Sequence, residues 1–229
     1  MASGFFKKLW KEYEQLGMLN HLGIIPDINE IVKKEDNVKE FIEAVKRALI
    51  FCKEAEIGYL SLFLVEKGYE FKQDKIAFLK RVIEKITRDD FFKDIKISAV
   101  GDWTELEPLE DCIKEAVLEH KEDYWLNLNL FINYSATSEI IDACKAIARK
   151  ITLMKLDEDA VNASVIEGLM KNSGPDIGLL LFFRGYSLND FIGFKGLKAR
   201  FYSFDKSFLE FTEKDVKDSL IKVGLARLS

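Results

Sequence analysis

The chain alternates between short, nearly continuous apolar runs and longer segments in which apolar residues recur every three or four positions. The first kind reads as buried strands and the second as amphipathic helices. Runs at 22–26, 59–65, 96–100, 126–132, 177–183 and 199–204 predict six strands. Between the first two, residues 37–55 carry Val38, Phe41, Ile42, Val45, Leu49 and Cys52 on one helical stripe. Similar spacing predicts helices over 73–87, 136–151, 157–170 and 212–224. Pro108 suits the first position of a further helix reaching about His120. Strand and helix alternate throughout, so the pattern predicts an α/β fold: a mostly parallel sheet of about six strands with helices on both faces. No repeat, low-complexity tract or linker divides the chain, and residues 1–229 read as one domain.

The first predicted helix, 4–17, places Phe5, Leu9, Trp10, Tyr13 and Leu16 on one side with lysines and glutamates between them. It suits packing on its own domain. It also suits a membrane surface, since Lys7, Lys8 and Lys11 gather around Trp10.

Composition narrows the function classes. Of 229 residues, 48% are apolar and eighteen are Phe, enough for a large core or an apolar cavity. The formal charge of −5 argues against general nucleic-acid binding. No apolar run approaches the ~20 residues that a membrane span needs. Met1 is followed by a basic, aromatic segment and not by a continuous apolar core, so no secretory leader is expected. Cys52, Cys112 and Cys144 lie far apart and read as reduced, buried cysteines of a cytoplasmic protein, which helix 4–17 would make membrane-peripheral. Two histidines and three scattered cysteines offer no zinc site.

Candidate chemistry begins at His21-Leu22-Gly23-Ile24-Ile25-Pro26-Asp27-Ile28-Asn29. An apolar run closed by Pro and Asp reads as a parallel strand whose carboxyl end opens a loop, where open α/β sheets bind ligands. Asp27 there suits a metal or a diphosphate-linked cation. It equally suits a helix N-cap.

This stretch resembles the first strand of the cis-prenyltransferases, the undecaprenyl diphosphate synthases and their relatives. His21, Ile24, Ile25, Pro26, Asp27 and Asn29 match, and Pro before Asp looks like archaeal-type members. The resemblance continues in order through Gly101-Asp102 with Leu106 and Pro108, then Leu128 to Tyr134 with Glu139, Ile140 and Ala143. Pro175-Asp176 with Leu179 to Leu181 follows, then Leu188, Phe191 and Ile192, and finally Phe201-Tyr202 and Phe208 to Phe211. It implies the undecaprenyl diphosphate synthase fold. It also implies condensation of isopentenyl diphosphate with an allylic diphosphate, with Mg2+ as cofactor. By position, Asp27 would be the catalytic metal residue, and Asn29, Asn133, Arg184 and Asn189 would contact substrate.

The chain departs from the family pattern at most charged positions. The glycine after the aspartate is Ile28, which hinders close backbone approach to a phosphate. The basic positions that follow fall on Glu30 and Ile31. A loop rich in hydroxyls and ending in arginine falls on Val65 to Phe71. Later arginine and serine positions fall near Leu181, Ser187 and Asn189, and the second metal carboxylate falls on Arg200. Lys33, Lys34, Lys67, Arg184 and Lys195 are the basic residues available as replacements. Two diphosphates cannot be held in a buried cleft by one aspartate and one arginine.

The resemblance therefore implies a non-catalytic homologue or partner subunit, in a homodimer or in a heteromer with a catalytic cis-prenyltransferase. The Nogo-B receptor class is similar, although this chain ends Ala226-Arg227-Leu228-Ser229, without the Arg-x-Gly tail. The alternatives are an active prenyltransferase with an altered site and an isoprenoid-binding protein. Phe182, Phe183, Phe191, Phe194, Phe201, Phe204, Phe208 and Phe211 suggest an apolar pairing surface over 180–211.

Overall fold

The computed structural model describes residues 19–34, 37–68, 73–118, 123–171, 174–184 and 193–223. The helix expected over 4–17, Asn189, Phe191 and the chain's last six residues lie outside them. In chain order the elements are β1 (His21–Ile25), α1 (Ile28–Ile31), α2 (Asn37–Glu54), β2 (Tyr59–Glu66), α3 (Gln73–Arg88), β3 (Ile95–Val100) and α4 (Glu107–Leu118). They continue with β4 (Leu126–Tyr134), α5 (Ala136–Thr152), α6 (Ala163–Glu167), β5 (Leu179–Phe183), β6 (Arg200–Phe204) and α7 (Glu213–Lys222). The strands form one sheet in the order β3-β4-β2-β1-β5-β6. Every neighbouring pair is parallel. The α/β architecture is the expected one.

Each central strand is buried on both faces, which is why it reads as an unbroken apolar run. Leu22, Ile24, Leu60, Leu62, Leu128, Leu130, Leu179 and Leu181 face one side, under α2, α3, α4 and α7. Ile25, Phe63, Phe131, Leu180 and Phe182 face the other, with Ala136 at the start of α5. Phe63 and Phe131 stack there at 4.2 Å between ring centroids. Helix α2 buries Phe41, Val45, Leu49 and Cys52, as its stripe predicts. The Ser135 side chain starts α5 by accepting from Ser138 N at 2.9 Å.

The helix expected over 157–170 is corrected. A 3₁₀ turn at Glu158–Ala160 stops, and Asn162 caps a new, short α6 by accepting from Val165 N at 3.2 Å. The apolar run 177–183 starts as a strand at Leu179, while Ile177 N and Gly178 N bond to Lys195 O and His21 O ahead of β5. Cys52 and Cys112 are buried and free, as expected, but Cys144 is exposed on α5. The aromatic surplus is also largely internal. Phe183, Phe208 and Phe211 are fully buried, Phe183 stacks on Phe204, and Phe201 is strongly exposed.

Polar groups pin the sheet from within. Pro175 O can only accept, so His21 Nδ1 carries the proton and donates to it at 2.8 Å. Nε2 then accepts from the Ser61 hydroxyl at 2.7 Å, and Asn129 Nδ2 donates to the same oxygen. Burial holds the imidazole neutral, lowering its pKa to about 4.

Candidate active site at the carboxyl end of the sheet

The chain leaves β1 toward β2 and returns to β5 from β4, so the crevice past the carboxyl ends of β1 and β5 is the switch point of the sheet. Asp27 follows β1 and Arg184 follows β5. The backbone brings these two candidates to neighbouring positions, since Ile25 pairs with Phe182.

Asp27 is 2% exposed. Its side chain does not cap α1. Oδ1 instead accepts from Phe208 N at 2.8 Å and from Ser207 Oγ at 3.1 Å. It thereby anchors the 3₁₀ turn Phe208–Glu210, some 180 residues downstream. Oδ2 is buried without a hydrogen-bond partner. Arg47 holds the other end of this turn, donating to Leu209 O and Phe211 O at 2.7 Å each. The cap reading of Asp27 is corrected: its side chain caps nothing in α1, and the distant turn has Ser207 as its cap, with Asp27 accepting from Phe208 N at its start. Behind it the Phe41 ring meets Phe78 and Phe208 edge-on at 5.6 and 5.4 Å.

The loop after Asp27 folds on itself. Ile28 N bonds to Pro26 O, and Glu30 N and Ile31 N bond to Asp27 O. Ile28 and Ile31 point into the core. Three of the amides that could cradle a phosphate are thereby already bonded.

The remaining predicted residues scatter. Asn29 Oδ1 accepts from Lys75 Nζ at 2.7 Å. Asn133 sits at φ 52° near the end of β4, at the irregularity between the paired residues Ile132 and Tyr134, and its amide donates to Asp102 O and Glu105 Oε2. It supports the β3 loop instead of reaching Asp27. Arg184 is exposed, with its backbone N–H shared between Phe204 O and Lys206 O. Of the candidate cations, Lys33 pairs with Glu30 and Lys67 with Asp102 and Glu105. Lys195 pairs with Glu167 and Asp176 near the opposite end of the sheet. Asp102 takes Lys171 on its other oxygen. Burial alone would raise the Asp102 pKa, but hydrogen bonds from Lys171 and Lys67 hold it below the usual carboxylate range.

Arg200 needs correcting. It opens β6 opposite Leu179, level with Leu22, and so lies at the amino end of the sheet. Within one chain it cannot repel a metal at Asp27, about five residues of strand away, or roughly 16 Å.

Sequence reading missed Lys75, Arg47 and Ser207. Lys75 is 7% exposed on α3, although Gln73-Asp74-Lys75 reads as a solvated first turn. Ser207 carried a signal, since Ser-Phe-Leu-Glu has the spacing of a capping box.

Magnesium takes six oxygens in a near-octahedral shell. Among the described residues no group of three or more His, Cys, Asp or Glu gathers to hold a metal. Among the described residues past the ends of β1 and β5, the carboxylate oxygen left over is Asp27 Oδ2, and it is closed from solvent. The described residues do not fit the ion by themselves.

The family model for undecaprenyl diphosphate synthase matches residues 29–223. The chain belongs to the cis-prenyltransferase family. It is 26% identical over 225 residues to a tritrans,polycis-undecaprenyl-diphosphate synthase, geranylgeranyl-diphosphate specific, from Picrophilus torridus, covering 91% of this chain and 88% of that one. It is 24% identical over 191 residues to a ditrans,polycis-undecaprenyl-diphosphate synthase from Pasteurella multocida, covering 80% of each. The fold is similar to that of lavandulyl diphosphate synthase from Lavandula x intermedia, solved in complex with dimethylallyl diphosphate. That match has a TM-score of 0.78 and 22% identity, and covers 91% of this chain and 96% of the other.

Proposed function

We propose that this cis-prenyltransferase family chain is non-catalytic and serves as a partner subunit of a polyprenyl diphosphate synthase. The observation that supports this reading most is the state of Asp27. Its one bonded oxygen holds Phe208 N and Ser207 Oγ, its other oxygen is closed off, and three of the amides beside it are bonded to their own loop. A site for two diphosphates needs cations and free N–H donors converging on one point. Here Lys67 is paired with carboxylates, and Lys195 is paired with carboxylates near the far end of the sheet. The pairing surface, with a second copy or a homologous subunit, would be the β5–β6 flank, where Leu197 and Phe201 are 68% and 42% exposed. No described helix is long and apolar enough to cross a membrane. We place the protein in the cytoplasm as a single cis-prenyltransferase-like domain.

An active enzyme with an altered site is the second reading. Arg184 beside the switch point and the buried Lys75 beside Asn29 favour it. The test is incorporation of labelled isopentenyl diphosphate into farnesyl diphosphate with magnesium, by the isolated chain and by complexes purified from the native source. Incorporation only when a second chain co-purifies is the expected result. Turnover by the isolated chain that Asp27→Ala abolishes overturns the proposal.

A further inference from the structure

Helix α5 carries two apolar faces, and the core uses one of them. Ala136, Glu139, Ala143 and Ile147 form the buried row against the sheet. Ile140, Ile141, Cys144, Ala148 and Ile151 form a second row beside it. At about 100° per residue these five fall within an arc of roughly 100° that holds no charged residue of the helix. Ile140 and Ile141 are 41% and 46% exposed, and Cys144 and Ala148 are exposed as well. Asp142, Lys145 and Arg149 lie on the other flank of α5. Asp142 meets Lys171 Nζ at 3.7 Å, and Lys171 also holds Asp102, which follows β3. That flank therefore faces β3, and the apolar arc faces the opposite way, toward β5 and β6. Ala136 accordingly shares its core cluster with Phe182 of β5 and with Ala199 ahead of β6. A Cβ on Gly193 would stand 3.7 Å from the Ala136 Cβ, so the segment leading to the exposed Leu197 and Phe201 starts beside α5.

We propose that this arc is the seat of a second copy of the chain, α5 packing on α5 across a two-fold axis. The inference rests on the pairing reading above and adds a surface to it. Three observations select a second copy. Homologues in this family act as homodimers or with partner subunits. The arc adjoins the β5–β6 flank, so one partner covers both. It also has the make-up of a protein interface, an uncharged centre of isoleucines with Lys145 and Arg149 at its rim. Cys144 and Ala148 are small, and between the isoleucines they let two helix axes approach closely. A two-fold interface is isologous, so a residue at its centre meets its own copy. Cys144 is the middle residue of the row. Cys52 and Cys112 are buried, which leaves Cys144 as the exposed thiol of the three.

The test uses the full chain and its own thiol. Air oxidation with copper phenanthroline should give a disulfide-linked dimer that Cys144→Ser abolishes, since a disulfide needs the two Cα atoms within about 7 Å. In sedimentation velocity, Ile140→Asn/Ile141→Asn should raise the dimer dissociation constant about tenfold or more. Both isoleucines are already exposed in the single chain, so the variant should melt like wild type at concentrations where each is monomeric. A dimer that Leu197→Ser/Phe201→Ser weakens, but that the α5 variant leaves unchanged and no Cys144 disulfide traps, overturns the α5 seat and leaves the pairing reading standing. A monomer at high concentration overturns both. If maleimide modifies Cys144 slowly in the monomer and much faster in a chain lacking residues 1–18, the amino-terminal segment covers the arc and the proposal falls. If Cys144 is protected only in complexes with a different chain from the native source, the second-copy assignment is overturned in favour of that subunit.

Discussion

Replacing Asp27 by alanine should destabilise the fold substantially, because the carboxylate ties the end of β1 to the turn at Phe208. The variant leaves Phe208 N–H without an acceptor in a residue that is fully buried. An orphaned buried donor costs about 1–3 kcal/mol, and a lost hydrogen bond to a charged group about 1.5–3 kcal/mol, the two figures describing overlapping losses. Ser207 Oγ keeps a second bond, from Leu209 N at 3.3 Å, and so contributes less. Removing the uncompensated Oδ2 returns part of the loss. The net expectation is about 2 kcal/mol. For a chain of this size that lowers Tm by about 4–8 °C. Asp27→Asn can keep the acceptor toward Phe208 and should lose less than half as much. The assay is thermal unfolding followed by near-UV circular dichroism or calorimetry, with urea titration to check that the m-value is unchanged. An alanine variant melting within about a degree of wild type would refute the anchoring argument. A stabilised one would do so more instructively, since a functional carboxylate is commonly held at a cost to stability.

Further expectations follow from other parts of the structure. Gly101 has φ 120°, and a Cβ there would overlap Ile132 O, so Gly101→Ala should lose more than about 3 kcal/mol, read as a collapse of soluble yield or of the urea midpoint. His21 has its folded pKa lowered by burial to about 4 against 6.5 unfolded. As pH falls through 6.5 the unfolded chain gains a proton that the folded one refuses, so stability is lost between pH 6.5 and 4 and levels off below. The loss approaches roughly 3 kcal/mol. Urea melts at pH 7.5 and 4.5 measure it, and His21→Gln should flatten the difference. Sedimentation velocity should show a dimer, or a heteromer with a homologous subunit, that Leu197→Ser/Phe201→Ser weakens. A monomer at high concentration would refute pairing through that flank.

The strands and long helices were legible because their cause is local. A strand buried on both faces must be apolar throughout, and a helix packed on one face must repeat its apolar residues every three or four positions. Leu22–Ile25, Leu60–Val65 and Phe41–Cys52 satisfy those conditions in sequence alone, and the ordered resemblance named the fold. The break at Asn162 was not legible, because a cap competes with helix continuation only by a hydrogen bond that depends on the turn already being formed. The position of Asp27 at a strand end could be read, but its partners could not. Phe208 N and Ser207 Oγ lie far along the chain, and no local pattern joins them to residue 27. Lys75 and Arg200 show the same limit from opposite sides. One looked solvated and is buried against Asn29; the other matched a site position and lies at the wrong end of the sheet. Periodicity specifies which face of an element is apolar. Strand order and direction decide which side chains converge, and these are set by packing among elements distant in sequence.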